Sequence, residues 1–104
     1  GDTALHNASS NGHIDIVKLL LDKEADVSAA SKDGWTSLHS ASLNGHTNVV
    51  KLLLDKEADV IVQDKDGDTA LHNASSNGHI DIVKLLLETG SNPSRVNTQG
   101  WTPL

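Results

Sequence analysis

The sequence predicts an all-α solenoid of helix–turn–helix units joined by β-hairpin-like loops, and three observations predict it. First, the 104 residues repeat with a period of 33, so that Gly1, Gly34, Gly67 and Gly100 each open the same phrase. Self-similarity at such a period is the mark of stacked repeats. Second, the apolar residues inside each unit recur at helical rather than alternating spacing. Third, the 37% of apolar residues is almost wholly Leu, Ala, Val and Ile; Phe, Tyr, Met and Cys are absent, and Trp35 and Trp101 are the two aromatics. Packing must then come from many small aliphatic contacts between neighbouring units. Residues 1–21 and 67–87 are identical, and 22 of the 33 positions agree between 1–33 and 34–66. The expected organisation is a single array over residues 1–104, with repeats 1–33, 34–66 and 67–99 and a partial unit 100–104.

The second unit shows the grammar of all of them. Thr36 is a natural N-cap whose hydroxyl accepts from an orphan donor of the first turn, and in the last unit Pro103 follows Thr102, where a missing N–H costs nothing. Leu38 and Ala41 fall on one face of the first helix, which Asn44-Gly45 ends with a residue suited to the left-handed conformation. A second helix is expected from Thr47 to Leu54, apolar over much of its girth through Val49, Val50 and Leu52–Leu54, with Lys51 as its polar outlet. Residues 55–60 are a polar loop, and 64–68 a turn able to form a hairpin tip.

These residues resemble the ankyrin repeat. The likeness rests on the T-x-L-H-x-A box at Thr3, Thr36 and Thr69, the N-G-H turn around Gly12, Gly45 and Gly78, V-K-L-L-L three times and A-D-V twice. Three features depart from the family pattern. Ala4, Ser37 and Ala70 stand in place of proline, Ser9, Ser42 and Ser75 in place of the second alanine of an A-A pair, and Glu24 and Glu57 where glycine is usual, kept only as Gly90. If those glutamates end their helices in the left-handed region, each carries strain. The resemblance implies that the box histidines bond to the threonine and to a neighbouring backbone, tying repeats together. It also implies a concave face, formed by the tips and first helices, that receives a protein or peptide.

Other chemistries fit poorly. The six histidines occupy only two repeat positions, and stacked equivalents lie about 8–10 Å apart, too far for shared ligands at about 2.0–2.1 Å from one zinc. Asp64-x-Asp66-x-Asp68 imitates the start of a calcium loop, but Thr69 and Ser75 stand where that loop needs glycine and a bidentate glutamate. No nucleophile elbow or phosphate loop is visible, so no enzyme, metal or cofactor is expected. A net charge of −6 argues against a nucleic-acid backbone. The longest apolar runs fall far short of the roughly 20 residues that span a membrane. Lack of cysteine fits an intracellular, soluble chain, cytoplasmic or nuclear. Opening on Gly1 rather than Met implies a processed, excised or engineered chain.

The expected function is a protein–protein interaction module. Candidate partner-binding residues are Asp2, Lys32, Asp33, Trp35, Lys65, Asp66, Asp68 and Trp101 at the tips. Along the first helices they are Ser40, Leu43, Asn44, Asn73, Ser76 and Asn77. Tryptophan is enriched among binding hot spots; the alternative is that a tryptophan at this position packs on the adjacent hairpin or first helix. A structural or spacer array without a dedicated ligand is the alternative, since the groove positions of the first and third repeats have not diverged. In that case Val83 and Leu85–Leu87 should leave apolar surface at the end of the array, favouring end-to-end self-association.

Overall fold

The computed structural model describes residues 3–103; Gly1, Asp2 and Leu104 lie outside the described residues, and with them the candidate Asp2. Six helices form three antiparallel pairs: α1 (Ala4–Ser10) with α2 (Ile14–Asp22), α3 (Ser37–Asn44) with α4 (Thr47–Asp55), and α5 (Ala70–Ser76) with α6 (Ile80–Glu88). The pairs stack in chain order: α3 packs on both α1 and α5, and α4 on both α2 and α6. The stack measures 37 × 28 × 20 Å.

Each first helix begins at a reciprocal cap. The hydroxyls of Thr3, Thr36 and Thr69 accept from the backbone N–H three residues on, and the side chain there, a histidine, accepts from the threonine N–H. This is the arrangement of a capping box, with imidazole Nδ1 doing what a glutamate oxygen usually does. Gly45, at φ 76, closes α3 as expected.

The second helices run one residue beyond the expected Leu54 position, to Asp22, Asp55 and Glu88. They end in paired reversals. Glu24 N–H donates to Leu21 C=O and Ala25 N–H to Leu20 C=O, both at 3.0 Å, and Glu57 and Ala58 repeat this on Leu54 and Leu53. Such an end requires a left-handed residue. Glu24 and Glu57 supply it at φ 66, the positive values expected of strained positions.

Leu5, Val17 and Leu21, then Leu38, Val49, Val50 and Leu53, then Leu71, Ile82 and Leu86 fill the core. The middle repeat, covered on both sides, buries most. The expected apolar end needs correction: Leu86 is fully buried and Val83 and Leu85 half-buried, leaving Leu87 and, above all, Ile80 exposed. The opposite end exposes Ile16 and Leu19 as well. At the Ile16 position the second and third repeats place Val49 and Ile82, at 1% and 0% exposure, so it is the preceding repeat that covers this site.

Candidate functional site

The two loops between pairs and the segment after α6 form three tips, and their shape follows from residues 31, 64 and 97. Ser31 N–H donates to Trp35 C=O, Asp64 N–H to Asp68 C=O and Asn97 N–H to Trp101 C=O, at 2.9–3.0 Å. The side chains there turn inward too: Asp64 accepts from the N–H groups of Asp66 and Asp68, and Asn97 from those of Gln99 and Trp101. Asx-type turns of this sort mimic a backbone turn. Asp64 Oδ1 is thus engaged within its own loop. Among the described residues no group of three or more His, Asp or Glu is placed to hold a metal ion.

Successive tips are joined through the main chain. Lys65 N–H donates to Asp33 C=O at 2.7 Å and Thr98 N–H to Asp66 C=O at 2.9 Å. The tips pair like hairpins, but no strand forms among the described residues. The exposed Lys65–Asp33 ion pair at 3.6 Å adds little at such a surface.

The histidines bind repeat to repeat. Since Thr N–H donates to Nδ1, the proton must sit on Nε2. From there His6 donates to Trp35 C=O at 2.8 Å, His39 to Asp68 C=O at 2.9 Å and His72 to Trp101 C=O at 3.1 Å. Burial holds the His39 imidazole below its ordinary value, against the raising effect of its bond to Asp68 and of the charges on Asp64 and Asp68; His6 adds a smaller lowering. The second set reaches backward: His46 Nε2 donates to Ser10 C=O at 2.9 Å and His79 to Leu43 C=O at 3.0 Å. Each imidazole lies against the turn glycine of the preceding repeat. A Cβ on Gly12 would come within 2.7 Å of His46, and one on Gly45 within 2.7 Å of His79. Glycine is needed at these two places for space as well as for positive φ.

Of the candidate partner residues, Lys32, Asp33, Asn44, Lys65, Asp66, Ser76, Asn77 and Trp101 are exposed, and Trp35, Leu43 and Asp68 half-buried. Ser40 and Asn73 are corrections: both are buried, because this position is covered by the preceding first helix and stays open only at Asn7. Trp35 stacks on His39 with ring centroids 4.9 Å apart, and its indole N–H donates to Ser40 Oγ. Part of it is thus structural, while Trp101 stands 66% exposed.

Asn44 and Asn77, read as surface, also serve as clamps. Asn44 Nδ2 donates to Ser10 C=O and Oγ and to Ser40 C=O, and Asn77 Nδ2 donates to Leu43 C=O. The same Ser10 and Leu43 carbonyls thus accept from both an asparagine and a histidine of the next repeat. The recurrence of N-G-H every 33 residues was the available signal. Asn97, whose amide also donates to Asp68 Oδ1 at 2.9 Å, was visible only as the third member of the Ser31, Asp64, Asn97 column.

The sequence matches two family models, both described as ankyrin repeats, over residues 1–64 and residues 47–87. Among curated proteins, it is 56% identical over 34 residues to cortactin-binding protein 2 of Rattus norvegicus, a match covering 33% of this chain and 2% of that protein. It is 44% identical over 36 residues to the Notch-regulated ankyrin repeat-containing proteins of Homo sapiens and Xenopus tropicalis, covering 35% of this chain and 32% of each. The matches thus span at most about a third of these relatives.

Proposed function

Because this chain belongs to the ankyrin-repeat family, we propose that it is a non-enzymatic protein–protein interaction module, working inside the cell and taking a protein or peptide on its tip and first-helix face. The observation that carries this reading is the column of tips held in register by main-chain bonds from Lys65 to Asp33 and from Thr98 to Asp66. It offers side chains at fixed intervals, and those of Lys32, Asp66 and Trp101 stand exposed. Lys32, Asp33, Trp35, Lys65, Asp66, Asp68 and Trp101 line that column, with Leu43, Asn44, Ser76 and Asn77 beside it. The exposed acids favour a partner presenting an apolar group ringed by basic residues, since complementary charge steers association and fixes register.

The test is capture of partners by the intact chain, followed by mapping of protected amides in the complex. Binding should weaken with added salt and with Asp66→Lys, whose side chain is exposed, and should be untouched by Lys51→Glu on the opposite side. A footprint confined to the surface around Lys18, Lys51 and Lys84 would overturn the assignment.

A second reading, an array whose copies associate end to end, is favoured by the exposure of Ile16 and Leu19 at one end and Ile80 at the other. The internal interfaces join these same repeat positions.

A further inference from the structure

The same tripeptide, Asn-Gly-His, closes the first helix of every repeat, at residues 11–13, 44–46 and 77–79. We propose that Asn11 and Asn77 are sites of spontaneous deamidation, and that the fold shields Asn44 from the same reaction. The Gly backbone nitrogen, losing its proton to hydroxide, attacks the Asn side-chain carbon, and the Cγ–Nδ2 bond breaks with ammonia as leaving group. Water then opens the five-membered imide at one carbonyl to give aspartate, or at the other to give isoaspartate with an extra methylene in the main chain. No oxidant or enzyme is needed. Glycine after asparagine offers the least hindered nitrogen for this attack.

Closure of the ring requires the turn to open. Asn11 and Asn77 sit at ψ 0 and 7, and the N–H groups of Gly12 and Gly78 donate to Ser9 and Ser75 C=O. This arrangement holds the glycine nitrogen away from Cγ. What differs among the three sites is the cost of opening. Among the described residues Asn11 Nδ2 bonds only within its own helix, to Asn7 C=O, so no bond ties it to the next repeat there, although His46 covers Gly12. Asn77 is held by a bond to Leu43 C=O, but among the described residues nothing lies within 4 Å of the position a Cβ on Gly78 would take. Asn44 is restrained on both counts. Its amide reaches three acceptors on two repeats, it is the last residue of α3, and His79 packs on Gly45.

The product matters most at Asn77. There an acceptor-only carboxylate would face the Leu43 carbonyl, turning an attractive contact between the second and third repeats into a repulsive one.

Peptide mapping by mass spectrometry, on the intact chain incubated at mildly alkaline pH, measures the three rates separately. Asn11 and Asn77 should convert measurably, while Asn44 converts roughly ten-fold more slowly or less, as expected where local opening is costly. In denaturant the three rates should converge, because the reacting tripeptide is the same. His79→Ala, which uncovers Gly45, should speed conversion at Asn44 and leave Asn11 unchanged. Equal rates at all three sites in the folded chain, a disparity that persists in denaturant, or no conversion at Asn11 and Asn77 would each overturn the proposal.

Discussion

Glu57 holds its backbone at φ 66, a region that costs a residue with a side chain about 1–2 kcal/mol. Glu57→Gly should therefore stabilise the array, by less than that amount, because glycine also frees the unfolded chain. A urea midpoint that stays put or falls would show that the strain is relieved elsewhere. Ser42 is fully buried, and its hydroxyl finds no hydrogen-bond partner among the described residues; Ser9 repeats the pattern, and Ser75, half-buried, has a buried hydroxyl equally without a partner there. An unpaired buried hydroxyl is costly and alanine is the better helix former, so Ser42→Ala should raise stability by about 1 kcal/mol, read from chemical denaturation. A loss of stability would reveal a hydrogen bond that the hydroxyl makes in solution. The glutamates and serines were both legible as departures from a repeating pattern. The roles of Asn44 and Asn77 were not, because a short polar side chain at a helix end looks the same whether it faces solvent or bridges to the next repeat.

At the level of the helix, the reciprocal cap built by Thr36 and His39 depends on a neutral imidazole that accepts at Nδ1 and donates at Nε2. A proton on Nδ1 would set it against the Thr36 N–H, so the cap depends on pH, whereas Nε2 keeps its proton and its bond to Asp68 C=O in either state. The His39 value is lowered from 6.5 in the folded chain. Between that lowered value and 6.5 the unfolded state binds more protons than the native state, so stability rises with pH. The contribution is whole above 6.5 and is lost as the pH falls through the folded value. Denaturation midpoints taken across that range should decline on acidification. His39→Gln, which retains a donor but does not titrate, should be less stable at neutral pH and show a shallower decline. Parallel slopes would mean that other groups govern the effect. The Thr36 cap and the Gly45 stop were readable from sequence because capping is a local matter. The burial of Ser40 and Asn73 was not, since it depends on which neighbouring helix lies over that position.

Across the whole stack, both ends expose apolar side chains, with Ile16 and Leu19 at 49% and 58% exposure and Ile80 at 66%. A second copy continuing the array would meet an obstacle, however. Gly100–Pro103 occupy the repeat positions that Gly1–Ala4 of the incoming chain would need, and Trp101 already takes the bond from His72. Sedimentation over a concentration series should therefore show weak, reversible association, strengthened when residues 100–104 are removed. A strictly monomeric shortened chain would refute association through the ends. The tips have a different consequence. Their spacing is set by peptide groups, which every residue except proline possesses in full, so the side chains mounted on them can be exchanged without redrawing the frame. Position 35 already holds tryptophan, position 68 aspartate and position 101 tryptophan again. If the tips receive a partner as proposed, recognition changes here one letter at a time while the main-chain frame stays in place.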